Sequence, residues 1–512
     1  MEKITSNLHL EEIKCSDRLQ FVVEEDKNMK DQSPDIVRIL MEDGEVSVEE
    51  VRPLKDGAEI RGKLKYHILY LSNERQRQLN KLSGEIFWEE KIRVEGMEPT
   101  DVVSTKKSIE DIKCSLINSG KINIKALICL EVTAKEIRDE EIITRIEKEG
   151  MEQKQEKLLV SNLVLQRKDS LRMKEEVELP EKFPAIEQLL WKSMELKRWE
   201  VKPLEDRILI QWESDLFILY KALAEEEEIK SFEATVKYNT NLECEGSSSK
   251  MVENIIPNIK SWNIQVKEDQ DGEDRILEAE MIFEPELRLY EEKEIFMITD
   301  VYGIREEMKP VFRPGRYQRL GEKQEYKVKL NKVMRIPASF PGILQICHIQ
   351  RGNLCLEVTE GKEGTFVEGT IPLHILYVTE KEEEPFACLK EEIPFHYKLE
   401  DNAEAEYEVY GLVQEAKATI LDMEEMEVKM NLLLEVQPRE ERRREYLDNV
   451  ELQELSSQER NKLPTMAVYC AMEEETIWEI GKKYYISLDS IRNVNELETD
   501  IVGYGQKLLL IR

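Results

Sequence analysis

The chain has 512 residues, which is enough for three or four domains of about 150 residues each. It carries 74 Lys and Arg against 107 Asp and Glu, and this net charge of −33 argues against a general binder of nucleic acid or of anionic membranes. No apolar run approaches the roughly 20 residues that a membrane-spanning helix needs, and the first residues lack the basic and then apolar pattern of a secretory signal. We therefore expect a soluble, multidomain protein that stays where it is made.

Three segments repeat one motif, in which a proline precedes the tyrosine of an Ile-Leu-Tyr sequence by 36 residues. The three proline–tyrosine pairs are Pro34 and Tyr70, Pro184 and Tyr220, and Pro341 and Tyr377. A Glu-Val pair lies between them in the same register, beginning at Glu50, Glu200 and Glu357. Chance would not hold that register twice, so the chain contains three tandem copies of one unit. We assign the copies to residues 1–150, 151–305 and 306–440.

Each copy contains strands in which apolar and polar residues alternate. The strand that ends at the first tyrosine places six residues on one face: Ile60, Gly62, Leu64, Tyr66, Ile68 and Tyr70. A period of two with one polar face is typical of antiparallel sheets. In the third copy Pro372 falls on the polar set, which predicts an edge strand or a bulge. We therefore expect a mainly β protein in which each copy is a β-sandwich or a related all-β domain.

The composition changes after the third copy. Residues 441–464 are polar and rich in charge with little periodicity, and they predict a linker. In residues 465–512, Thr476 is the predicted N-cap of a first helix and Leu488 begins a second, between two short strands. The sequence therefore predicts a small βααβ domain at the C-terminus.

This βααβ segment resembles a LysM domain. The residues at fitting positions of the family pattern are Tyr469, Thr476, Ile477, Trp478, Ile480, Asn495, Gly505, Gln506 and Leu508. LysM domains bind N-acetylglucosamine chains in a groove between the turn before the first helix and the loop after the second. In that turn Glu474 and Glu475 stand here in place of Gly and Asp, and Glu474 adds bulk and negative charge where Gly allows close backbone approach. A protein ligand is therefore favoured over peptidoglycan.

The resemblance implies that this groove binds the partner. It would be formed by ten residues: Glu473, Glu474, Glu475, Thr476, Ile477, Trp478, Asn493, Val494, Asn495 and Leu497. We expect Glu474 and Glu475 to meet basic groups of the partner, which predicts salt-sensitive binding. The alternative for Trp478 is a place in the core of the domain.

Three all-β copies followed by a LysM-like domain resemble the SPOCS-domain proteins of endospore-forming bacteria. The motifs that carry this resemblance lie in the third copy: Glu368-Gly369-Thr370, Ile375-Leu376-Tyr377 and Ile393-Pro394-Phe395. The other copies have diverged, and Trp212 stands in the second at the place of Gly62 in the first. The resemblance implies a mother-cell cytoplasmic protein at the forespore surface. It would bind the coat morphogenetic ATPase through LysM, contact other coat proteins and anchor the coat peripherally at the outer forespore membrane.

Motifs for catalysis, phosphate binding and metal binding are missing: G-x-x-x-x-G-K-[ST], H-E-x-x-H and G-x-S-x-G. His67 and His374 occupy equivalent positions, but Phe217 takes that place in the second copy, which predicts packing or a place on the sheet surface rather than ligation. The eight cysteines form no C-x-x-C pair and predict reduced thiols, with late cross-linking in an oxidising assembly as the alternative. We expect a non-catalytic scaffold with no cofactor, no metal site and no nucleic-acid partner.

Two other functions remain open. A cell-wall protein would use LysM to hold peptidoglycan, although the missing export signal counts against it. A hydrolase that uses LysM only as an anchor would need a catalytic domain, which the three copies do not resemble.

Overall fold

The structure is a computed structural model, and it describes residues 1–29, 34–73, 78–223, 228–400, 405–454, 464–473 and 475–512. Strands make up most of the described residues, which confirms the predicted mainly β fold class. Repeat one contains β1 (Glu2–Asn28), β2 (Ile36–Leu54), β3 (Gly57–Ser72), β4 (Leu79–Arg93), β5 (Val102–Asn118) and β6 (Lys121–Glu147). Repeat two contains β7 (Met151–Lys168), β8 (Leu171–Glu178), β9 (Ile186–Leu204), β10 (Arg207–Ala222), β11 (Ile229–Glu243), β12 (Val252–Glu253), β13 (Ile259–Glu268), β14 (Asp274–Phe283) and β15 (Glu286–Gly303). Repeat three contains β16 (Glu307–Leu320), β17 (Gln324–Arg335), β18 (Ile343–Arg351), β19 (Cys355–Gly361), β20 (Gly364–Thr379), β21 (Phe386–Lys398), β22 (Ala405–Ile420) and β23 (Glu425–Gln453).

Each repeat is a sandwich of two antiparallel sheets. In repeat one the sheet β2–β3–β4 packs on the sheet β1–β6–β5, and the equivalent strands of repeats two and three pair in the same way. The apolar set predicted along β3, such as Ile60 and Leu64, is buried in this core together with Ile128 of β6. The alternation therefore predicted correctly which side chains point inward, because successive residues of a strand face opposite sides.

The spacing of proline and tyrosine that recurs in the three copies has a physical reason in repeats two and three. The Tyr220 hydroxyl donates a hydrogen bond to the Pro184 carbonyl at 3.2 Å, and the Tyr377 hydroxyl donates to the Pro341 carbonyl at 3.0 Å. The bond joins the start of one strand of the sheet to the end of its central neighbour. The repeated motif thus closes one corner of the sandwich.

Of the two alternatives predicted for Pro372, the edge strand is wrong, whereas the other, a bulge, agrees with the extra residue that the neighbouring strand has opposite it. Strand β20 is the centre of its sheet, with β21 on one side and β18 and β19 on the other. Pro372 lies opposite the gap between Arg351, where β18 ends, and Cys355, where β19 begins, and its carbonyl accepts from Gly352 N–H at 2.8 Å. A proline is tolerated here because the interrupted neighbour leaves no ladder hydrogen bond for its missing N–H to lose.

The three sandwiches meet at a shared apolar centre. Equivalent leucines of the three Ile-Leu-Tyr motifs, Leu69, Leu219 and Leu376, are all buried there, together with Met41 and Trp191. The sequence predicts one polar face along these strands, but at this end of each strand both faces are buried. The face away from the sandwich core packs against the other repeats instead of against water.

Beyond the sandwiches, the first and last strands of each repeat continue as a two-stranded ribbon. Ribbon one pairs β1 with β6, ribbon two pairs β7 with β15, and ribbon three pairs β16 with the second half of β23. The three ribbons pack together through buried apolar side chains: Leu8, Leu10, Ile142, Leu158, Val160, Ile295, Met297 and Tyr317. Repeats that occur in tandem in the sequence thus form one body, in which apolar clusters at the centre and along the ribbons are shared between repeats.

The predicted linker over 441–464 is too long. Residues 441–453 belong to β23 and pair with β16 in ribbon three, where Leu447 and Val450 are buried. The charged residues that suggested a linker, such as Arg443 and Arg444, lie on the exposed surface of this ribbon. Residues 455–463 lie outside the described part of the chain.

Candidate functional site

Residues 464–512, called here the C-terminal module, have the predicted βααβ order. The elements are β24 (Met466–Cys470), α1 (Ile477–Tyr484), α2 (Leu488–Asn495) and β25 (Lys507–Ile511), and the two strands pair antiparallel. Ile477, Ile480, Ile491 and Leu508 are buried in a core that belongs to the module alone.

The first helix begins at a complete capping box, as the Thr476 prediction requires. The Thr476 hydroxyl accepts a hydrogen bond from Glu479 N–H, and the Glu479 carboxylate accepts from Thr476 N–H at 2.9 Å. These two bonds satisfy N–H groups that no helical carbonyl can reach. Thr476 is therefore occupied in holding the helix start.

The turn before α1 lies against the loop that follows α2, through residues of that loop that were not among the predicted site residues. Ile477 N–H donates to the Asp500 carbonyl at 2.9 Å, and Val502 N–H donates to the Glu475 carbonyl at 3.2 Å, so the turn and the loop lie side by side. Glu473 is exposed at their rim, whereas Glu474 lies outside the described residues.

The Glu475 carboxylate is used within the module. It accepts hydrogen bonds from Met472 N–H at 3.0 Å and from the Tyr469 hydroxyl at 2.8 Å. The bond from the hydroxyl raises the pKa of Tyr469, because it stabilises the protonated phenol next to a carboxylate. Glu475 therefore fixes the turn, and of the acidic residues described there Glu473 is the one that extends into solvent.

On the other side of the groove, the predicted residues have different surroundings. Asn493 and Val494 are exposed, while Leu497 packs against the module core. The Asn495 side chain donates to the Ile491 and Leu509 carbonyls, each at 2.9 Å, and accepts from Leu509 N–H at 2.6 Å. Asn495 thus joins α2 to the outer edge of β25.

We expect Asn495→Ala to destabilise the C-terminal module by about 2 kcal/mol, because three backbone groups lose their partner at once. Hydrogen exchange of the Leu509 amide measures this loss directly. Asn493→Ala is the matched control, since Asn493 is exposed on the same helix, and it should leave the exchange unchanged. Equal protection in both variants would contradict the structural role of Asn495.

Trp478 is buried, but not in the core of the module. Its indole N–H donates to the Asp300 carboxylate of ribbon two at 2.9 Å, and its ring meets the Tyr302 ring edge-on at 5.0 Å between centroids. Only 9% of Trp478 is exposed as a result. The sequence could not indicate this contact, because the partner residues lie some 180 positions earlier in the chain.

Three exposed apolar residues next to the groove were not among the predicted site residues. Met472 is 64% exposed, Ile501 70% and Tyr504 82%. Met472 and Tyr504 lie close together, since Gly505 N–H donates to the carbonyl of Ala471 at 2.9 Å. Large apolar side chains this exposed on a small module are typical of a surface that contacts another protein. The tyrosine between Gly503 and Gly505 was the signal that could have pointed to it.

Other kinds of site are not found in the part of the chain that the structure describes. No group of three or more His, Cys, Asp or Glu side chains could hold a metal ion there. None of its helices has the length and apolar character needed to cross a membrane.

Comparison with known families finds a match in two of the repeats. Residues 35–117 and 185–267 match the family model described as SipL, SPOCS domain. Repeats one and two are similar to the SPOCS domain of SipL. The matched segments begin just before β2 and β9 and end within β5 and β13, so they cover one whole sheet of each sandwich and one edge strand of the other sheet, but not the ribbons.

The match to the SipL model does not extend to repeat three, whose motifs carried the resemblance in the sequence, or to the C-terminal module. The LysM assignment therefore stays a prediction. Searches of the curated proteins and of the solved structures found no match to this chain.

Proposed function

We propose that this protein is a non-catalytic scaffold of the spore coat, which acts in the mother-cell cytoplasm at the forespore surface. It would bind the coat morphogenetic ATPase through the C-terminal module and help to anchor the coat. The observation that supports this most strongly is the similarity of two repeats to the SPOCS domain of SipL. The βααβ order of the module and its LysM-like residues support the choice of the binding element.

The arrangement of the repeats suits a scaffold. The shared centre and the packed ribbons hold three sandwiches in one body, which presents a large surface to several coat proteins at once. The C-terminal module lies at the end of ribbon two and keeps its exposed loops turned to solvent. One body can therefore contact the assembly and the ATPase together.

The exposed loops indicate what the partner surface should offer. Apolar residues Met472, Ile501 and Tyr504 lie beside the turn in which the acidic Glu473 is exposed and Glu475 is half-buried. A complementary partner would bring an apolar patch bordered by Lys or Arg. Such binding would weaken as salt rises, because exposed charges are screened.

We expect Glu473→Lys with Glu474→Lys to weaken binding of the full chain to the coat ATPase by about tenfold at low salt, and by less at high salt. Isothermal titration calorimetry measures both affinities. The matched control is Glu360→Lys with Glu363→Lys, which makes the same charge change at the exposed β19–β20 turn of repeat three.

The same titration with N-acetylglucosamine oligomers separates the two main functions. Binding to the ATPase without binding to the sugar supports the scaffold. Binding to the sugar alone would instead favour a cell-wall attachment protein.

A further inference from the structure

The C-terminal module is held against ribbon two by a small set of specific contacts. Both oxygens of the Asp300 carboxylate lie within 2.7 Å of the Lys482 ammonium, and one of them also accepts from the Trp478 indole. The Tyr302 hydroxyl donates to the Ile486 carbonyl at 2.8 Å, and Leu488 N–H donates to the Glu152 carboxylate at 3.2 Å. These contacts bury one side of α1 and the turn that follows it.

The contact depends on a glycine in α1. A Cβ atom at Gly481 would lie 2.4 Å from the Tyr302 hydroxyl oxygen, which is far inside van der Waals distance. Glycine within a helix is less favourable than alanine, so α1 would be more stable without it. The glycine is therefore explained by the close approach of Tyr302.

Trp478 belongs to the residues predicted to bind the partner, yet ribbon two covers it. A partner can reach this side chain only after the module leaves ribbon two. The contacts that hold it are few, and the module has its own core, so it can leave without unfolding. Trp478 is therefore exposed when the module leaves ribbon two, and the free energy of this opening is set by these contacts.

We infer that Asp300, Tyr302 and Glu152 form an intrachain clamp that covers Trp478 and controls access to this face of the C-terminal module. The clamp competes with a partner whose contact surface includes Trp478 in addition to the exposed loops, because the side chain cannot meet both at once. A partner that binds only the open form has its apparent affinity reduced by the fraction of chains that are open. The partner side of this inference rests on the proposed function, whereas the clamp itself does not.

Two variants of the full chain should open the clamp by different means. Asp300→Lys places a second cation against Lys482 and removes the acceptor of the indole N–H. Gly481→Ala introduces a methyl group against Tyr302 without changing any charge, and it retains a good helix former in α1. Glu294→Lys is the matched control, because Glu294 lies on the same strand β15 and forms an ion pair with Lys157 away from the module.

Hydroxyl-radical footprinting with mass spectrometry reports the exposure of Trp478 without any partner. Both opening variants should raise the oxidation rate of Trp478 by about fivefold or more, while Glu294→Lys should leave it unchanged. Protection of Trp478 that persists in Asp300→Lys and in Gly481→Ala would overturn the clamp.

Calorimetry with the coat ATPase then tests the control of access. The opening variants should bind the ATPase more tightly than the parent chain, by up to the factor by which the oxidation rate of Trp478 rises. The control variant should bind with the affinity of the parent chain. An exposed Trp478 with unchanged affinity would overturn the regulatory role. If no chain binds the ATPase, the proposed function fails, and the footprint alone still decides whether the clamp exists.

Discussion

Leu219→Ala should lower the free energy of unfolding of the whole chain by about 3 kcal/mol, although Leu219 contributes nothing to the core of its own sandwich. The side chain is 1% exposed and lies at the centre shared by the three repeats, next to Phe217 and Leu376. Truncation leaves a cavity that no single repeat can close, because the surrounding side chains come from three different sandwiches. Urea unfolding followed by tryptophan fluorescence and by circular dichroism measures the loss.

The matched control for this substitution is Leu223→Ala, four residues further along the chain, where the side chain is 65% exposed. It should change the stability little, since it removes no buried contact. In the Leu219 variant, fluorescence and circular dichroism should report the same unfolding transition, shifted to a lower urea concentration, because the three repeats share the affected core. A loss below about 1 kcal/mol, or a transition confined to part of the signal, would show that the repeats do not depend on this centre.

The features of the fold that could be predicted are those that depend on the local alternation of apolar and polar residues. Alternation along β3 and its equivalents fixed which residues face each sandwich core, since the neighbouring polar residues could not face it. The same pattern did not predict the burial of Leu69, because a single apolar residue on an otherwise polar face does not form a repeating pattern. Its recurrence as Leu219 and Leu376 was the available signal that a second buried surface exists.

The candidate site was predictable to a similar depth. Thr476 was recognised as a helix cap because capping is a local interaction between neighbours in sequence. Asn495 was expected to line the groove, yet its amide hydrogen-bonds β25, a role that depends on how α2 packs on the sheet. The hydrogen bond between Trp478 and Asp300 joins the C-terminal module to ribbon two, and the sequence around neither residue indicates it.

Electrostatic interactions between repeats are the other feature that the sequence could not provide. Arg288 of repeat two is 7% exposed and forms ion pairs with two carboxylates, at 3.1 Å with Glu11 of repeat one and at 2.6 Å with Glu286. The Lys135 ammonium lies 3.4 Å from Glu11, and the Tyr290 hydroxyl donates to the same carboxylate. In a chain with 107 acidic residues, no pattern singles out these two.

Arg288→Met should therefore destabilise the protein by about 3–5 kcal/mol near neutral pH, because the buried Glu11 and the half-buried Glu286 lose their shared counter-ion, which is itself buried. Burial alone disfavours ionisation of Glu286, but Arg288 and the Ser104 hydroxyl outweigh this effect and lower the pKa of Glu286 below its usual value. Without Arg288, burial prevails and the pKa of Glu286 rises. Chemical denaturation of the parent chain and the variant over a range of pH measures the difference.

The sign of the pH dependence follows from these shifts in pKa. In the parent chain the lowered pKa gives stability that is present above the pKa of the unfolded state and is lost as the pH falls through that of the folded state. In the variant, the ionised Glu286 carboxylate costs free energy at neutral pH, and protonation of this group relieves the cost. The difference in free energy of unfolding between the parent chain and Arg288→Met should therefore become smaller as the pH falls from about 7 towards about 5.

Two further variants separate the unpaired charge from the lost packing of the arginine. Arg172→Met is the control at an exposed ion pair with Glu280 in the same repeat, and it should have a much smaller effect that hardly varies with pH. Adding Glu286→Gln to Arg288→Met should restore part of the stability and reduce the pH dependence, because Glu286 then carries no charge while Glu11 keeps its ion pair with Lys135. If this double variant were no more stable than Arg288→Met, the loss would come from packing at the joint between repeats one and two, and the ion pair with Glu286 would contribute little to holding them together.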